Sequence, residues 1–384
     1  MDTSGTGGRA GSGQTRRGRE AWTPRQAMWA KISGVPLAGI PFATYNLHPF
    51  GRHGTEPSYR HLLALANAKA GLLVKHELRQ TTPAQRDCQT TVETSPAATR
   101  RTVTWHTPKG PLRSVSLTPS GQPGYVVEPF IKTDEDVVRA MSVAPQAASY
   151  DLQPTHALLE ALGERGVLYV SYPDPMYGAA SLFDYEDFVV RCLTGLDRLE
   201  ALVEHLAEAA TAQVRALATA CRGLPLLFYT AGPEVATPPM LPPSIFRRLV
   251  TPHQRRLIGI FHEHGHRVAI HCHGRVGQVL DEILATGADV LEPIEPPDQG
   301  DISLAELRRR VGGRLCLLGY IQDQEFYRRE PGLLRRRVAE IAAILDPTDR
   351  YVMAPTCTPF QFPASAEYIE AYGEWLEAAA ALLP

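Results

Sequence analysis

The strongest chemical signal in this 384-residue chain is the run Arg267-Val-Ala-Ile-His-Cys-His-Gly274. Val268, Ala269 and Ile270 are the short apolar core of a buried strand. Side chains two apart on a strand share a face, so His271 and His273 look into one site and Cys272 looks away. Imidazole is the commonest transition-metal ligand. Two histidines at a strand end can equally be satisfied by backbone groups. Cys357 follows another apolar run, Tyr351-Val-Met-Ala354, at a Pro-rich turn. Two imidazoles and one thiolate make a three-ligand zinc site with an open position. A buried, inert thiol is the competing reading.

Other polar residues sit at similar strand ends. Glu234 and Glu292 each terminate an apolar run and could be a fourth ligand, a general base or a helix cap. Gly232 and Pro233 fix the backbone before Glu234, which favours it as the catalytic carboxylate. Tyr320 is the second catalytic candidate. Tyr45, Asp174, Arg275 and Glu292 are candidates for holding substrate, Arg275 through a carboxylate or phosphate. The tyrosines serve ordinary packing equally well. Cys88, Cys192, Cys221 and Cys316 sit in the insertion, on helices or mid-strand and read as structural.

These residues need a scaffold that gathers strand ends. Apolar strands at Val35–Phe42, Leu72–Leu78, Val167–Ser171, Leu224–Thr230, Val268–Ile270, Asp289–Leu291, Leu315–Leu318 and Tyr351–Ala354 alternate with helical periodicity. The helices fall at 59–70, 133–163, 196–220, 243–264, 277–286, 303–311, 332–345 and 364–382. Strands alternating with helices imply a parallel sheet, and eight of them a (β/α)8 TIM barrel. Residues 81–130 break the rhythm with β-branched alternation and Gly/Pro turns, so they read as an antiparallel β insertion after the second strand. In such barrels the reactive groups stand at the C-terminal ends of the strands. Residues 1–30 read as a disordered tail and lead-in, and 31–384 as one barrel domain.

Composition narrows the classes. A net charge of -2 gives no global attraction to nucleic acid or anionic lipid. No apolar run reaches membrane-spanning length. Six cysteines do not make a disulfide framework and suit a reducing cytoplasm.

Gly232-Pro-Glu234, His271-Cys-His-Gly274, Gly287-Ala-Asp289, Gly319-Tyr-Ile-Gln322 and the Cys357 turn together resemble the uroporphyrinogen decarboxylase superfamily. Its zinc-dependent methyltransferases that act with corrinoid proteins look nearest. Thr107-Pro-Lys-Gly110 and Ile131–Asp136 add a looser likeness. The resemblance implies methyl transfer between a corrinoid (cobalamin) carrier and a thiol or other small acceptor, with zinc as cofactor and a corrinoid protein as partner. Carried over by position, the ligands are His271, Cys357, and His273 where the branch has a cysteine. That replacement leaves the zinc one unit more positive. It weakens a bound thiolate as a nucleophile and favours activation of water or a carbonyl. The decarboxylase branch is the alternative, but Pro41-Phe-Ala-Thr-Tyr-Asn46 lacks its Arg-rich signature. A non-catalytic corrinoid or small-ligand binder is the reading from another class.

Overall fold

The computed structural model describes residues 22–82, 87–297, 299–328 and 330–382. Of the tail and lead-in expected over residues 1–30, residues 1–21 lie outside them. Eight parallel strands form one sheet: β1 (Ala43–Tyr45), β2 (Gly71–His76), β3 (Gly166–Ser171), β4 (Leu226–Ala231), β5 (Arg267–His271), β6 (Val290–Ile294), β7 (Cys316–Ile321) and β8 (Tyr351–Pro355). A parallel bridge between Phe42 and Met353 brings the last strand round to the first. The expected (β/α)8 barrel is therefore the observed one, with the antiparallel insertion after β2.

Strand register sets the interior in layers, each drawn from alternate strands. Lys75, Tyr229, Glu292 and Ala354 come from the even strands. Tyr45, Tyr169, Ala269 and Leu318 come from the odd strands and lie one step deeper. Below them the interior is apolar: Leu73, Leu227, Val290 and Val352.

Helix α1 (Pro24–Ser33) closes the foot. Thr23 and Gln26 form a capping box, Pro24 opens the first turn, and Gly34 ends the helix in the left-handed region. Met28 and Ile32 pack into the barrel interior. Gly71 accommodates this, because a Cβ there would meet Met28 Cε at 2.8 Å. Residues 22–30, expected as lead-in, thus belong to the barrel.

Three other expectations shift. The first strand lies beyond Val35–Phe42, because Pro36, Gly39 and Pro41 interrupt any ladder there. The helix expected over 133–163 is two helices, Asp134–Ala140 and Gln153–Leu162, parted around Pro145. Strand Ser149–Asp151 between them pairs with Arg79–Thr82. The helix expected over 243–264 breaks at Val250, before Pro252. The long helix Leu196–Ala220 stands as expected.

The insertion is a four-stranded antiparallel sheet: Cys88–Thr94, Ala98–Trp105, Leu112–Pro119 and Tyr125–Glu128. Its first strand is exposed throughout, so its sequence carries no apolar face to announce it. At one end Trp105, Leu112 and Val115 are buried. No helix among the described residues is long and apolar enough to cross a membrane.

Candidate functional site

The strand ends place two histidine–carboxylate pairs side by side. His271 Nδ1 lies 3.0 Å from Glu292 Oε1, and His273 Nδ1 lies 3.2 Å from Glu295 Oε2. The two imidazole centroids are 4.7 Å apart, edge to face. A carboxylate at Nδ1 selects the tautomer protonated there and leaves Nε2 as an acceptor. Neither Nε2 has a protein partner among the described residues. Burial lowers the His273 pKa, but the Glu295 hydrogen bond and charge outweigh it, so His273 titrates above its ordinary value.

Glu292 is completely buried. Burial alone would raise its pKa. His271 outweighs that, helped by Lys75 and Tyr45, and holds the carboxyl below the usual range. Its second oxygen, Oε2, has no hydrogen-bond partner. Tyr45 Oη lies 3.4 Å from His271 Nδ1. Lys75 Nζ stands 4.8 Å from the Tyr45 ring centroid and 5.4 Å from that of Tyr229, with no ion-pair partner among the described residues. Asn46 positions Lys75: its Oδ1 accepts the Lys75 backbone N–H at 3.0 Å, from a residue with φ 51°. Tyr169 packs 5.0 Å from Tyr229, and its buried hydroxyl is unpartnered. Burial first, and then the Glu292 charge, push the Tyr45 and Tyr169 pKa values well up; Tyr229 rises to about 12.

Of the residues singled out in the sequence, Tyr45, Glu292, His271 and His273 meet. Three others, Tyr320, Asp174 and Glu234, are used elsewhere. Tyr320 is turned out of the barrel. By strand alternation it would join His271, but Gly319 and Tyr320 both have positive φ, 129° and 78°. A Cβ at Gly319 would meet the Ile294 backbone at 2.8 Å, where the β6–β7 register slips. The Tyr320 hydroxyl accepts from Leu304 N–H at 3.4 Å in the helix layer. Asp174 caps helix Pro175–Ala180 through Tyr177 N–H at 2.6 Å and accepts from Gln254 Nε2 at 2.5 Å. Burial raises its carboxyl to about 6. Glu234 folds back on its own turn, accepting Gly232 N–H at 2.7 Å. Arg275 is exposed, with no side-chain partner among the described residues. The Asp174-Pro175 pair is itself an N-cap signature. Lys75, Tyr169 and Glu295 were missed. A lysine inside the apolar run Leu72-Leu-Val-Lys75 was the available signal.

The donor chemistry suits zinc at the two imidazoles, each backed by a carboxylate. The third donor is not gathered in: among the described residues no group of three His, Cys, Asp or Glu side chains stands ready to hold a metal ion. Cys357 is half-buried, and its thiol faces the Thr358 carbonyl at 3.4 Å. Burial raises its pKa.

Residues 114–369 match the uroporphyrinogen decarboxylase (URO-D) family. The chain belongs to that family. Among solved structures it is similar to a methyltransferase from Methanosarcina mazei, with 16% identity and a TM-score of 0.58, covering 93% of this chain and 98% of that one. That likeness is one of fold. A GH26-CBM35 β-(1,4)-mannanase from Podospora anserina follows at 12% identity and a TM-score of 0.39, over 93% of this chain and 65% of that one, too low to carry an argument. No curated protein matches the sequence. URO-D membership makes the chain an enzyme of that group built on a (β/α)8 barrel.

Proposed function

We propose that this URO-D family member is a methyltransferase of the cytoplasm, moving a methyl group between a corrinoid carrier and a small acceptor. His271 and His273 would hold a zinc ion, with Cys357 as the third donor. Bound there, zinc would supply Lewis-acid activation of the acceptor. The observation that carries the reading is the pair of imidazoles anchored at Nδ1 by Glu292 and Glu295 with both Nε2 atoms unpartnered.

The chain's own residues have separate tasks. Glu292 and Glu295 fix ring orientation and tautomer. Lys75 offsets the buried Glu292 charge. Tyr45, Tyr169 and Tyr229 line the floor and keep water from it. With one thiolate rather than two, the site favours an oxygen acceptor over a thiol.

Metal analysis of protein purified without chelator tests the metal. One zinc per chain is expected, lost in His271→Ala and weakened in Cys357→Ala. Metal-free wild type, or full occupancy in Cys357→Ala, ends the reading. Demethylation of methylcobalamin with alcohol, phenol and thiol acceptors then tests the reaction.

A second reading is metal-independent decarboxylation on a non-porphyrin substrate. It is favoured by imidazoles already paired with carboxylates, by Lys75 beside the buried Glu292, and by the lack of a ready three-donor group among the described residues. Turnover that survives exhaustive chelation would select it.

A further inference from the structure

The insertion reaches across the rim. At its Trp105 end it shares a crevice with Pro173 and Asp174, in the loop after β3. At the other end its two turns, at 95–97 and 120–124, meet the loops that follow β1 and β8. Between them lies a cleft of about 1130 Å³. Small-molecule sites run to about 1,000 Å³, so this one suits a large ligand.

Its chemistry is uneven. The floor is aromatic: Phe362 carries the Arg52 guanidinium 3.9 Å over its ring, and Phe360 is 63% exposed. The walls are hydroxyls and amides, including Thr99, Thr118, Ser120 and Gln122. No aspartate or glutamate lines it, and Arg52 has no acidic partner among the described residues. Such a cleft stacks a flat face, hydrogen-bonds amides and accepts one anionic group.

The floor is also built firmly. His53, buried, lies 2.8 Å from the Pro359 carbonyl through Nε2. Tyr59 donates its hydroxyl to Gln361 O at 2.9 Å, and Ala364 N–H donates to Ser58 Oγ at 3.0 Å. These bonds strap the loop that begins at Cys357 to the segment after β1. The loop that carries the third proposed ligand therefore runs straight into the cleft.

We propose that this cleft seats the methyl carrier, its flat macrocycle on Phe360 and an anionic group, such as the phosphate of cobalamin, on Arg52. This rests on the methyl-transfer reading above, since that reading supplies a flat, amide-fringed ligand. The insertion is then the carrier's cradle rather than a surface ornament.

Equilibrium dialysis of methylcobalamin against the zinc-loaded protein in the dark, without acceptor, tests it. Phe360→Ala and Arg52→Ala should each weaken binding about tenfold, the loss of one anchoring contact. Phe360→Trp should bind as wild type. Melting temperature and zinc content should stay at wild-type values in all three. Unchanged affinity in both alanine variants overturns the cleft and leaves methyl transfer standing. Failure of wild type to bind at millimolar methylcobalamin overturns both.

Discussion

The two ends of the barrel treat buried charge in opposite ways. At the foot, Lys31 is 1% exposed and donates to Leu37 O at 2.7 Å and Pro347 O at 2.6 Å. Arg350 beside it donates to the carbonyls of Lys31, Ile32, Gly313 and Arg314. At the mouth, Glu292 Oε2 and Tyr169 Oη are buried without partners, and Lys75 stands over rings instead of an anion. Buried polar groups are normally satisfied, and exceptions call for a reason. At the foot the buried cations are satisfied by carbonyls, although the Trp29 indole N–H there is buried without a partner. The mouth is left for something else to finish, on the face where such barrels place their chemistry.

The contrast can be broken most severely at the mouth. Glu292→Ala removes the anchor of His271 and should cost 10- to 100-fold in zinc affinity and turnover, the usual effect of losing a carboxylate behind a ligating histidine. Measured zinc dissociation and initial rates check it; a loss below twofold would deny the pair any role. At the foot, Lys31→Met strands two carbonyls and should lower stability by about 3 kcal/mol in denaturant melts. Turnover per folded molecule should not change.

Asp174 sharpens the boundary between site and scaffold. Its folded pKa of about 6 lies above the unfolded value of about 3.9. The folded state therefore binds its proton more tightly, and the stability this contributes is full below about pH 4 and lost as pH rises through 6. The stability gap between Asp174→Asn and wild type should move about 2.5 kcal/mol in the variant's favour from pH 4 to pH 7.5. A flat difference would mean that the carboxyl is not held in its buried, uncharged form. The smallest effect belongs to Tyr320→Phe, which loses one long contact in the helix layer. Stability should fall by under about 1 kcal/mol, with kcat unchanged. A tenfold fall in kcat would return Tyr320 to the mouth.

The parallel alternation was legible because each barrel strand after the insertion is an apolar run bounded by a helix of clear periodicity. Helix Leu196–Ala220 could be read to the residue. What failed had local causes. Periodicity cannot register a strand as short as Ser149–Asp151, which exists only because Arg79–Thr82 pairs with it. At the site, alternation brought His271 and His273 together, although the strand ends at His271 and His273 lies two residues beyond it. Tyr320 obeyed the same rule on paper but not in space, since two consecutive left-handed residues redirect it. Lys75 is one of five lysines in the chain and sits in an apolar run, but only the closed sheet reveals that it points inward.

The helix that stoppers the foot also sets an order of events. With Met28 and Ile32 filling that end, the described residues leave the mouth as the way to the tyrosine floor. A bulky partner resting against that mouth would bar it. Under the proposed methyl transfer, a carrier seated on the rim would require the smaller reactant to bind before it and the product to leave after it.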